Sequence, residues 1–286
     1  MARPSLLIVG CGDVGLRVLK LLVPRWRVLA LSSSADRLDE LRAAGAVPLL
    51  GNLDEPATLA RLGGLADAVL HLAPPPAQGA TDTRTANLLN ALGRKGRARC
   101  IVYGSTSGVY GDCGGARLDE TRAVCPSTDR ALRRADAEAR LRWFGRRSGV
   151  RVSILRIPGI YAPDRPLERL RRGTPVLAAA DDVYTNHIHA DDLARACVAA
   201  LVRGLPQRVV HVSDDTEMKM GDYFDLAADI AGLPRPPRVT RSEAIGVLTP
   251  MQLSFMGESR RLVNHRLKRE LQLRLRYPTV REGLRA

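Results

Sequence analysis

Short runs of apolar residues alternate with amphipathic stretches through most of the chain. The apolar runs fall at 6–9, 27–31, 47–50, 68–73, 99–104, 150–156 and 208–215. A helical spacing of apolar positions occurs between them, near 13–23, 35–44, 55–62, 82–94, 128–147 and 191–201. Regular alternation of strand and helix predicts a parallel sheet with helices on both faces and right-handed crossovers. We therefore expect a doubly wound α/β fold.

The alternation weakens after residue 157, where prolines and short helices replace it. We predict a sheet domain formed by residues 1–160, to which residues 184–213 return. Residues 161–183 and 214–286 are predicted to form a smaller C-terminal lobe. Ligands of doubly wound sheets bind at the carboxyl ends of the strands, so the loops at those ends are the candidate sites.

The segment LLIVGCGDVGLRVLKLL places three glycines in GxGxxG spacing between the first strand and the first helix. Such a loop makes a tight turn, lets a phosphate approach the backbone and ends at a helix N-terminus with free N–H groups. A merely tight turn is the alternative, but the strand and helix pairs that follow favour a Rossmann-type dinucleotide site. The residues expected to contact the cofactor here are Gly10, Cys11, Gly12, Asp13, Val14 and Gly15.

The end of the second predicted strand bears on the choice between NAD and NADP. NAD-binding proteins usually have an acidic residue there, which binds the ribose diol. This chain instead has Ser32 and Ser33, followed by Arg37, which could pair with a 2′-phosphate. The pattern favours NADP over NAD. In the alternative, Ser34 or Asp36 caps the second helix and Arg37 is solvated.

Composition narrows the partners and the compartment. The 44 basic and 30 acidic residues give a net charge of +14, which raises the question of nucleic-acid binding. The arginines are spread among acidic residues without a nucleic-acid-binding motif, so no such partner is expected. Five cysteines without CxxC spacing indicate neither disulfides nor zinc and fit a cytoplasmic protein. No apolar run approaches the ~18 residues that cross a bilayer, so no membrane association is expected.

Seven short motifs, in their order along the chain, resemble the landmarks of one superfamily. They are GCGDVG (10–15), GNLDEP (51–56), HLAPPP (71–76), YGSTSGVYGD (103–112), LDET (118–121), LRIPGIYAP (155–163) and HADDLARA (189–196). With a C-terminal stretch over 264–284, they resemble the extended and atypical short-chain dehydrogenases/reductases. The bacterial NAD-dependent epimerase/dehydratase-like proteins, homologues of nucleotide-sugar epimerases, are the most similar group. The resemblance implies an NAD(P)-dependent oxidoreductase or epimerase with a small-molecule substrate, and it allows a homodimer.

The resemblance also implies roles for individual residues. The positions that it places along the cofactor are Asn52, Leu53, Leu72, Ala73, Pro74 and Pro158. Asn52 would lie near the adenine, and Pro158 would border the nicotinamide. Thr106 aligns with the family's catalytic serine or threonine. The smaller lobe would bind the substrate.

One half of the family's catalytic site is missing. Its members transfer protons with a tyrosine and a lysine four residues apart on the fifth helix, and the two positions here are Arg130 and Arg134. None of the six tyrosines in the chain is followed four residues later by a lysine. An arginine cannot donate the proton, because its guanidinium stays charged at any accessible pH. An enzyme of this kind is expected to be slow on ordinary ketones or sugar nucleotides.

Other residues could act in place of the missing pair. The catalytic candidates are Thr106 and Tyr110, and the candidates for substrate binding are Ser107, Arg130, Arg134 and Tyr161. The arginines could clamp a phosphate or carboxylate, or they could form a solvated helix face. A catalytically silent protein that binds NAD(P) and senses redox state through a partner is the alternative. Only the enzyme needs an intact pocket around Thr106.

A metal site is not expected. His187 and His189 precede Asp191 and Asp192, and such residues could bind a metal ion. In the family, however, this segment is a loop that leads into a helix with an acidic N-cap.

Overall fold

The structure, a computed structural model, describes residues 3–286. Its strands are β1 (Ser5–Val9), β2 (Arg27–Ser32), β3 (Val47–Leu50), β4 (Ala68–His71), β5 (Cys100–Thr106), β6 (Arg117–Leu118), β7 (Arg151–Ile157), β8 (Gly159–Tyr161), β9 (Val176–Leu177), β10 (Tyr184–Thr185), β11 (His187–His189), β12 (Arg208–His211), β13 (Met218–Lys219), β14 (Arg238–Val239) and β15 (Arg261–Leu262). Its α-helices are α1 (Asp13–Leu22), α2 (Leu38–Ala43), α3 (Thr83–Gly93), α4 (Asp129–Ser148), α5 (Leu167–Arg171), α6 (Ala190–Arg203), α7 (Met220–Ala231), α8 (Arg241–Val247), α9 (Pro250–Met256), α10 (His265–Arg269) and α11 (Val280–Leu284). Turns of 3-10 helix occur at Ala35–Arg37, Pro56–Leu59, Leu62–Gly64 and Ser107–Tyr110.

Seven strands form one parallel sheet in the order β12-β7-β5-β4-β1-β2-β3. The chain starts in the middle at β1, runs outward to β3, and then crosses to β4 and continues toward the other edge. The predicted doubly wound, Rossmann-type α/β fold is confirmed. The direction of winding reverses between β1 and β4, which leaves a crevice at the carboxyl ends of these strands.

Alternate residues of the central strand face opposite sides of the sheet. Leu6 and Ile8 pack in one buried cluster with residues of α1 and α6, and Leu7 and Val9 pack in another with residues of α3 and α4. All four are essentially inaccessible to solvent. Burial on both faces explains why this strand is a continuous apolar run.

A separate buried cluster forms the core of the smaller lobe. It contains Tyr161, Leu170, Val176, Tyr223, Phe224 and Val280. The stretch from Leu267 to Leu275 instead packs in the cluster under α1 and α6. We therefore propose that the smaller lobe comprises 161–183 and 214–286 without this stretch, which covers the sheet.

Two local predictions differ from the structure. The helix expected near 55–62 is a pair of 3-10 turns, Pro56–Leu59 and Leu62–Gly64. The expected acidic N-cap of α6 is also wrong. His189 holds that position, and its Nδ1 accepts the N–H of Asp191 at 3.1 Å. The carboxylate of Asp192 is buried and accepts backbone N–H groups near the C-terminus.

Candidate cofactor and substrate site

The glycine loop between β1 and α1 has a backbone that its glycines allow. Gly10 has φ +85°, a region that favours glycine, and a Cβ there would lie 2.4 Å from the backbone nitrogen of Ala73. The amides of Leu72 and Ala73 donate to the carbonyl of Val9 at 2.8 and 3.0 Å, which holds the turn after β4 against the loop. A Cβ on Gly12 would meet no heavy atom within 4 Å. Gly12 thus faces open space at the N-terminus of α1, where a pyrophosphate fits.

A cavity of about 350 Å³, here called the loop cavity, runs from the glycine loop to the end of β5. The predicted residues that line it are Gly10, Gly12, Asp13, Val14, Gly15, Leu72, Thr106, Arg134 and Pro158. Cys11 lies behind the loop and is 2% exposed. Burial raises the pKa of its thiol to about 11, and the side chain packs in the buried cluster under α1 and α6.

A second cavity of about 610 Å³, the outer cavity, lies beyond the ends of β2 and β3. Ser33 and Asn52, both predicted, line it together with Arg61, which was not predicted. Arg37 does not line it, and its Nε pairs with the carboxylate of Glu40 at 3.0 Å. The outer cavity is nevertheless the place where the predicted adenine end of a dinucleotide would lie.

The remaining predicted cofactor residues do not line these cavities. Ser32 donates its hydroxyl to the carbonyl of Ser34 at 3.0 Å. Leu53 is buried in the core, and Pro74 is exposed. Ala73 contributes through its backbone contact with Gly10.

A third cavity of about 500 Å³, the arginine cavity, lies between the loop cavity and the smaller lobe. The two cavities share the lining residues Thr106, Arg134, Pro158, Ile160 and Arg165. The charged residues that line the arginine cavity are Arg130, Arg134, Arg165, Arg169, Arg260 and Glu258. Five guanidinium groups and one carboxylate give this cavity a strong positive potential.

Helix α4 brings the two replacement arginines to the arginine cavity. Arg134 donates from Nη1 to the hydroxyl of Tyr103 at 2.9 Å and to the carbonyl of Gly104 at 2.8 Å. The guanidinium of Arg130 lies over the ring of Phe255, 4.5 Å from its centroid. A solvated helix face therefore does not describe Arg134, which is fixed at the end of β5.

Thr106 lies where the loop cavity and the arginine cavity meet. Its Oγ1 accepts the N–H of Gly108 at 3.2 Å and so begins the 3-10 turn that follows β5. A Cβ on Gly108 would lie 3.5 Å from Thr106 Oγ1 and 3.9 Å from Glu258 Oε2. The hydroxyl and the carboxylate thus flank one face of this turn. Ser107 is buried and lines the arginine cavity.

Tyr110 and Tyr161 lie outside both cavities. Tyr110 is 1% exposed, and its hydroxyl is bonded to Arg156 Nη1 at 2.6 Å and to a ring nitrogen of His211. Tyr161 is equally buried and donates to the carbonyl of Thr279 at 3.2 Å. Burial raises the pKa of both phenols. The structure gives no support to Tyr110 as an acid or to Tyr161 as a substrate ligand, because the 3-10 turn after β5 directs Tyr110 into one buried cluster and β8 directs Tyr161 into another.

Sequence reasoning missed Arg165, Arg169, Glu258 and Arg260. Arg165 and Arg169 follow the LRIPGIYAP motif closely, and this proximity was the available signal. Glu258 and Arg260 lie more than 120 residues after the α4 arginines in the chain, and no local pattern marks them. Only the tertiary fold brings them to the site.

Membrane-spanning and metal-binding features were searched within residues 3–286. None of the helices there is both long and apolar enough to cross a bilayer. The same residues contain no group of three or more His, Cys, Asp or Glu placed to hold a metal ion. His187 is buried, and burial lowers its pKa to about 3, so it is neutral.

Comparison with known proteins identifies the family. A family model described as NAD(P)H-binding matches residues 10–203. No curated protein matches the sequence significantly. A conserved protein of unknown function from Silicibacter pomeroyi has a similar structure, with 32% sequence identity, a TM-score of 0.85, and coverage of 98% of this chain and 96% of that one.

Two enzymes of known activity share the fold. One is a UDP-glucose 4-epimerase from Thermotoga maritima, solved with UDP-glucose, at 19% identity, TM-score 0.81 and coverage of 98% of this chain and 96% of that one. The other is a dTDP-glucose 4,6-dehydratase from Bacillus anthracis, solved with NAD, at 15% identity, TM-score 0.80 and coverage of 99% and 94%. Both have the fold expected from the predicted resemblance to the short-chain dehydrogenases/reductases. With its glycine loop, its parallel sheet and the family match over most of its length, the chain belongs to the NAD(P)H-binding family.

Proposed function

We propose that the protein is an NAD(P)-dependent oxidoreductase, similar to the epimerases and dehydratases, that acts on an anionic small molecule. The observation that carries the proposal is the junction of the loop cavity with the arginine cavity at Thr106. A substrate bound among the arginines would meet the end of the cofactor site there.

Residues of the glycine loop, the turn after β4 and the outer cavity would hold the dinucleotide. When bound, its nicotinamide accepts or donates a hydride. We propose NADP as the preferred form, supported by the uncharged Ser33 and the cationic Arg61, which line the outer cavity together with the acidic Glu55. Arg37, on the turn after β2, could reach a 2′-phosphate by leaving Glu40.

An anionic substrate is supported by the arginines that lack a carboxylate partner. Among residues 3–286, no carboxylate lies within salt-bridge distance of Arg130, Arg134 or Arg169. Arg169 is substantially buried, and burial lowers its pKa, which shows the cost of this unpaired charge. A phosphate or carboxylate would offset that cost through charge-assisted hydrogen bonds. A nucleotide sugar, the ligand seen in the Thermotoga maritima epimerase, has this chemistry.

Tyr184 lines the arginine cavity but not the loop cavity, so we propose that proton transfer uses another group. Thr106 can orient a substrate oxygen, and Glu258 is the carboxylate that lines the arginine cavity. Glu258 accepts hydrogen bonds from Ser127 and Arg260, both at 2.8 Å, so its position is fixed. We propose Glu258 as the proton acceptor in alcohol oxidation.

A catalytically silent NAD(P)-binding sensor is the second candidate. It is favoured by the burial of both Tyr110 and Tyr161, which leaves no phenol at the cavity junction.

We also propose a cytoplasmic location, supported by five free cysteines, and a homodimer. Leu132 and Trp143 are 40% and 55% exposed on one face of α4, and such apolar surface is typical of an interface. Sedimentation velocity would measure the oligomeric state, and a monomer at micromolar concentration would contradict the dimer.

A substrate survey tests the enzyme proposal. Nucleotide sugars, sugar phosphates and hydroxy acids would be incubated with NADP or NAD, and reduction followed by absorbance. We expect slow turnover on an anionic substrate, and Thr106→Val should lower kcat by about 10²-fold because it removes the orienting hydroxyl and keeps the shape. Ser153→Ala is the matched control, because it removes a buried hydroxyl bonded to the carbonyl of Leu205 and because Ser153 lines neither cavity. Dinucleotide binding without turnover on any of these compounds would favour the sensor.

A further inference from the structure

Arg165 connects the smaller lobe to the glycine loop. It follows β8 in the chain, and its side chain lines both the loop cavity and the arginine cavity. Its Nη2 pairs with the carboxylate of Asp13, and its Nη1 donates to the carbonyl of Ile160 at 3.3 Å. The side chain is about one-third exposed, so it has room to change partners.

Asp13 is the first residue of α1 and lies within the glycine loop itself. Its carboxylate is shared between Arg165 and Arg17, whose Nε lies 3.0 Å away. Burial alone would raise the pKa of Asp13, but the hydrogen bonds from the two arginines hold it below its usual range. The carboxylate is therefore ionised beside the place where two phosphates would bind.

The ionised carboxylate of Asp13 disfavours a bound phosphate at the loop, and a neighbouring guanidinium offsets this repulsion. A helix N-terminus attracts an anion, but an ionised carboxylate in the first turn repels a second anion placed next to it. Arg17 is also bonded to Asp191 and is thereby fixed on the α1 and α6 side. Arg134 and Arg165 both line the loop cavity, and Arg165 is the one of the two that pairs with Asp13.

We propose that Arg165 is a ligand of the dinucleotide pyrophosphate, delivered by the smaller lobe and held beside the loop by Asp13. This inference rests on dinucleotide binding in the proposed function and goes beyond it, because that proposal gives Arg165 no contact with the cofactor. A guanidinium can bind carboxylate and phosphate oxygens together, since it presents several N–H groups in one plane. Cofactor binding would then tie the smaller lobe to the sheet domain.

Calorimetry on the full chain tests the role of Arg165. NADP and ADP-ribose are the probes, because both contain the pyrophosphate and only NADP contains the nicotinamide. Arg165→Gln should weaken both ligands about tenfold, the scale of one charge-assisted hydrogen bond at a partly exposed site. Arg172→Gln is the matched control, because Arg172 is exposed, pairs with Glu168 and lines neither cavity. It should leave both affinities unchanged.

The variant Asp13→Asn should change the dinucleotide affinity in the direction opposite to Arg165→Gln. It removes the carboxylate that repels the phosphates and leaves Arg165 free to bind them, so the affinity for both ligands should rise several-fold. Equal losses of affinity in Asp13→Asn and Arg165→Gln would assign the pair to the fold of the loop and overturn the proposal. So would wild-type affinity in Arg165→Gln, or a loss seen with NADP and not with ADP-ribose. Failure of the wild type to bind either ligand would instead overturn the cofactor assignment as well. The melting temperatures of the free variants control for folding.

Discussion

Single residues of the glycine loop show which sequence signals are reliable. Gly10 and Gly12 were predicted from their spacing between a predicted strand and a predicted helix, and the structure gives each a specific reason: a positive φ with close backbone contact for Gly10, and open space for Gly12. The positive φ is a local constraint that a local pattern reveals, whereas the contact of Gly10 with Ala73 depends on the pairing of β1 with β4. Tyr110 shows the limit. Its position in the motif does not say that its hydroxyl faces Arg156 and His211 in the core.

The choice between NADP and NAD is a prediction at the residue scale. NADP should bind more tightly than NAD, and Arg37→Ala should narrow the difference in binding free energy by about 1.5 kcal/mol, the lower end of the range for a charged hydrogen bond, because Arg37 must leave Glu40. Isothermal titration calorimetry measures both affinities. Arg42→Ala, on α2 directly after the turn of Arg37 and paired with Asp39, is the control and should change neither affinity. Equal affinities of the wild type for NADP and NAD would contradict the preference for NADP. If Arg61→Ala narrows the difference between the two affinities and Arg37→Ala does not, the 2′-phosphate lies beside Arg61.

At the scale of elements, the residues that share one face of α4 were easier to predict than the residues that contact them. Arg130 and Arg134 were predicted four residues apart on one helix, and the structure shows that the face they share continues through Glu138 from the arginine cavity into the core. Glu138 is buried with Arg156 and Ser105, which fixes the helix against β5 and β7. The carboxylate that faces Thr106 comes from the chain after α9, and helical periodicity holds no information about such a distant contact.

The small parallel pair β8 and β11 packs beside a buried acid whose titration affects stability. Asp214 follows β12, and its Oδ2 has no hydrogen-bond partner within the described residues. Its backbone N–H donates to the carbonyl of His187 at 2.7 Å. Burial raises the pKa of Asp214 to about 8. Between pH ~4 and 8 the Asp214 carboxyl is therefore protonated in the folded protein. In the unfolded chain, where its pKa is ~3.9, it has already lost this proton.

This difference makes stability fall as the pH rises toward 8. The stabilisation that comes from the Asp214 proton is complete below pH ~4 and is lost as the pH rises through the folded pKa. Over this range the free energy of unfolding falls by about 1.4 kcal/mol per pH unit. The buried histidines have lowered pKa values and act in the opposite direction, but only below pH ~6.5. The free energy of unfolding of the wild type, measured with denaturant, should thus fall by about 2 kcal/mol between pH 6.5 and 8.

Asp214→Asn should remove that decline, because an amide does not titrate. Asp215→Asn is the control, since Asp215 is partly exposed and pairs with Lys268, and it should keep the wild-type slope. A slope that is the same in Asp214→Asn and the wild type would mean that Asp214 is ionised in the folded protein.

At the scale of the whole molecule, the sheet and its crevice followed from the alternation of strands and helices. The seven predicted strands all pair in the expected parallel sheet. The smaller lobe was less predictable, because its elements are short and its core joins residues from 161 to 284. The arginine cavity lies between the lobe and the sheet domain, so its residues could not be grouped before the two parts were placed together.

A crystal structure with bound NADP tests the central claim most directly. The account predicts the pyrophosphate at Gly12 and Arg165, and the nicotinamide at the junction beside Thr106, Arg134 and Pro158, close enough for hydride transfer to a substrate in the arginine cavity. Hydride transfer needs reacting atoms about 3 to 3.5 Å apart, so a substrate analogue bound with NADP should approach the ring to that distance. A nicotinamide that points into solvent, or an arginine cavity closed off from it, would contradict the enzyme and leave the sensor.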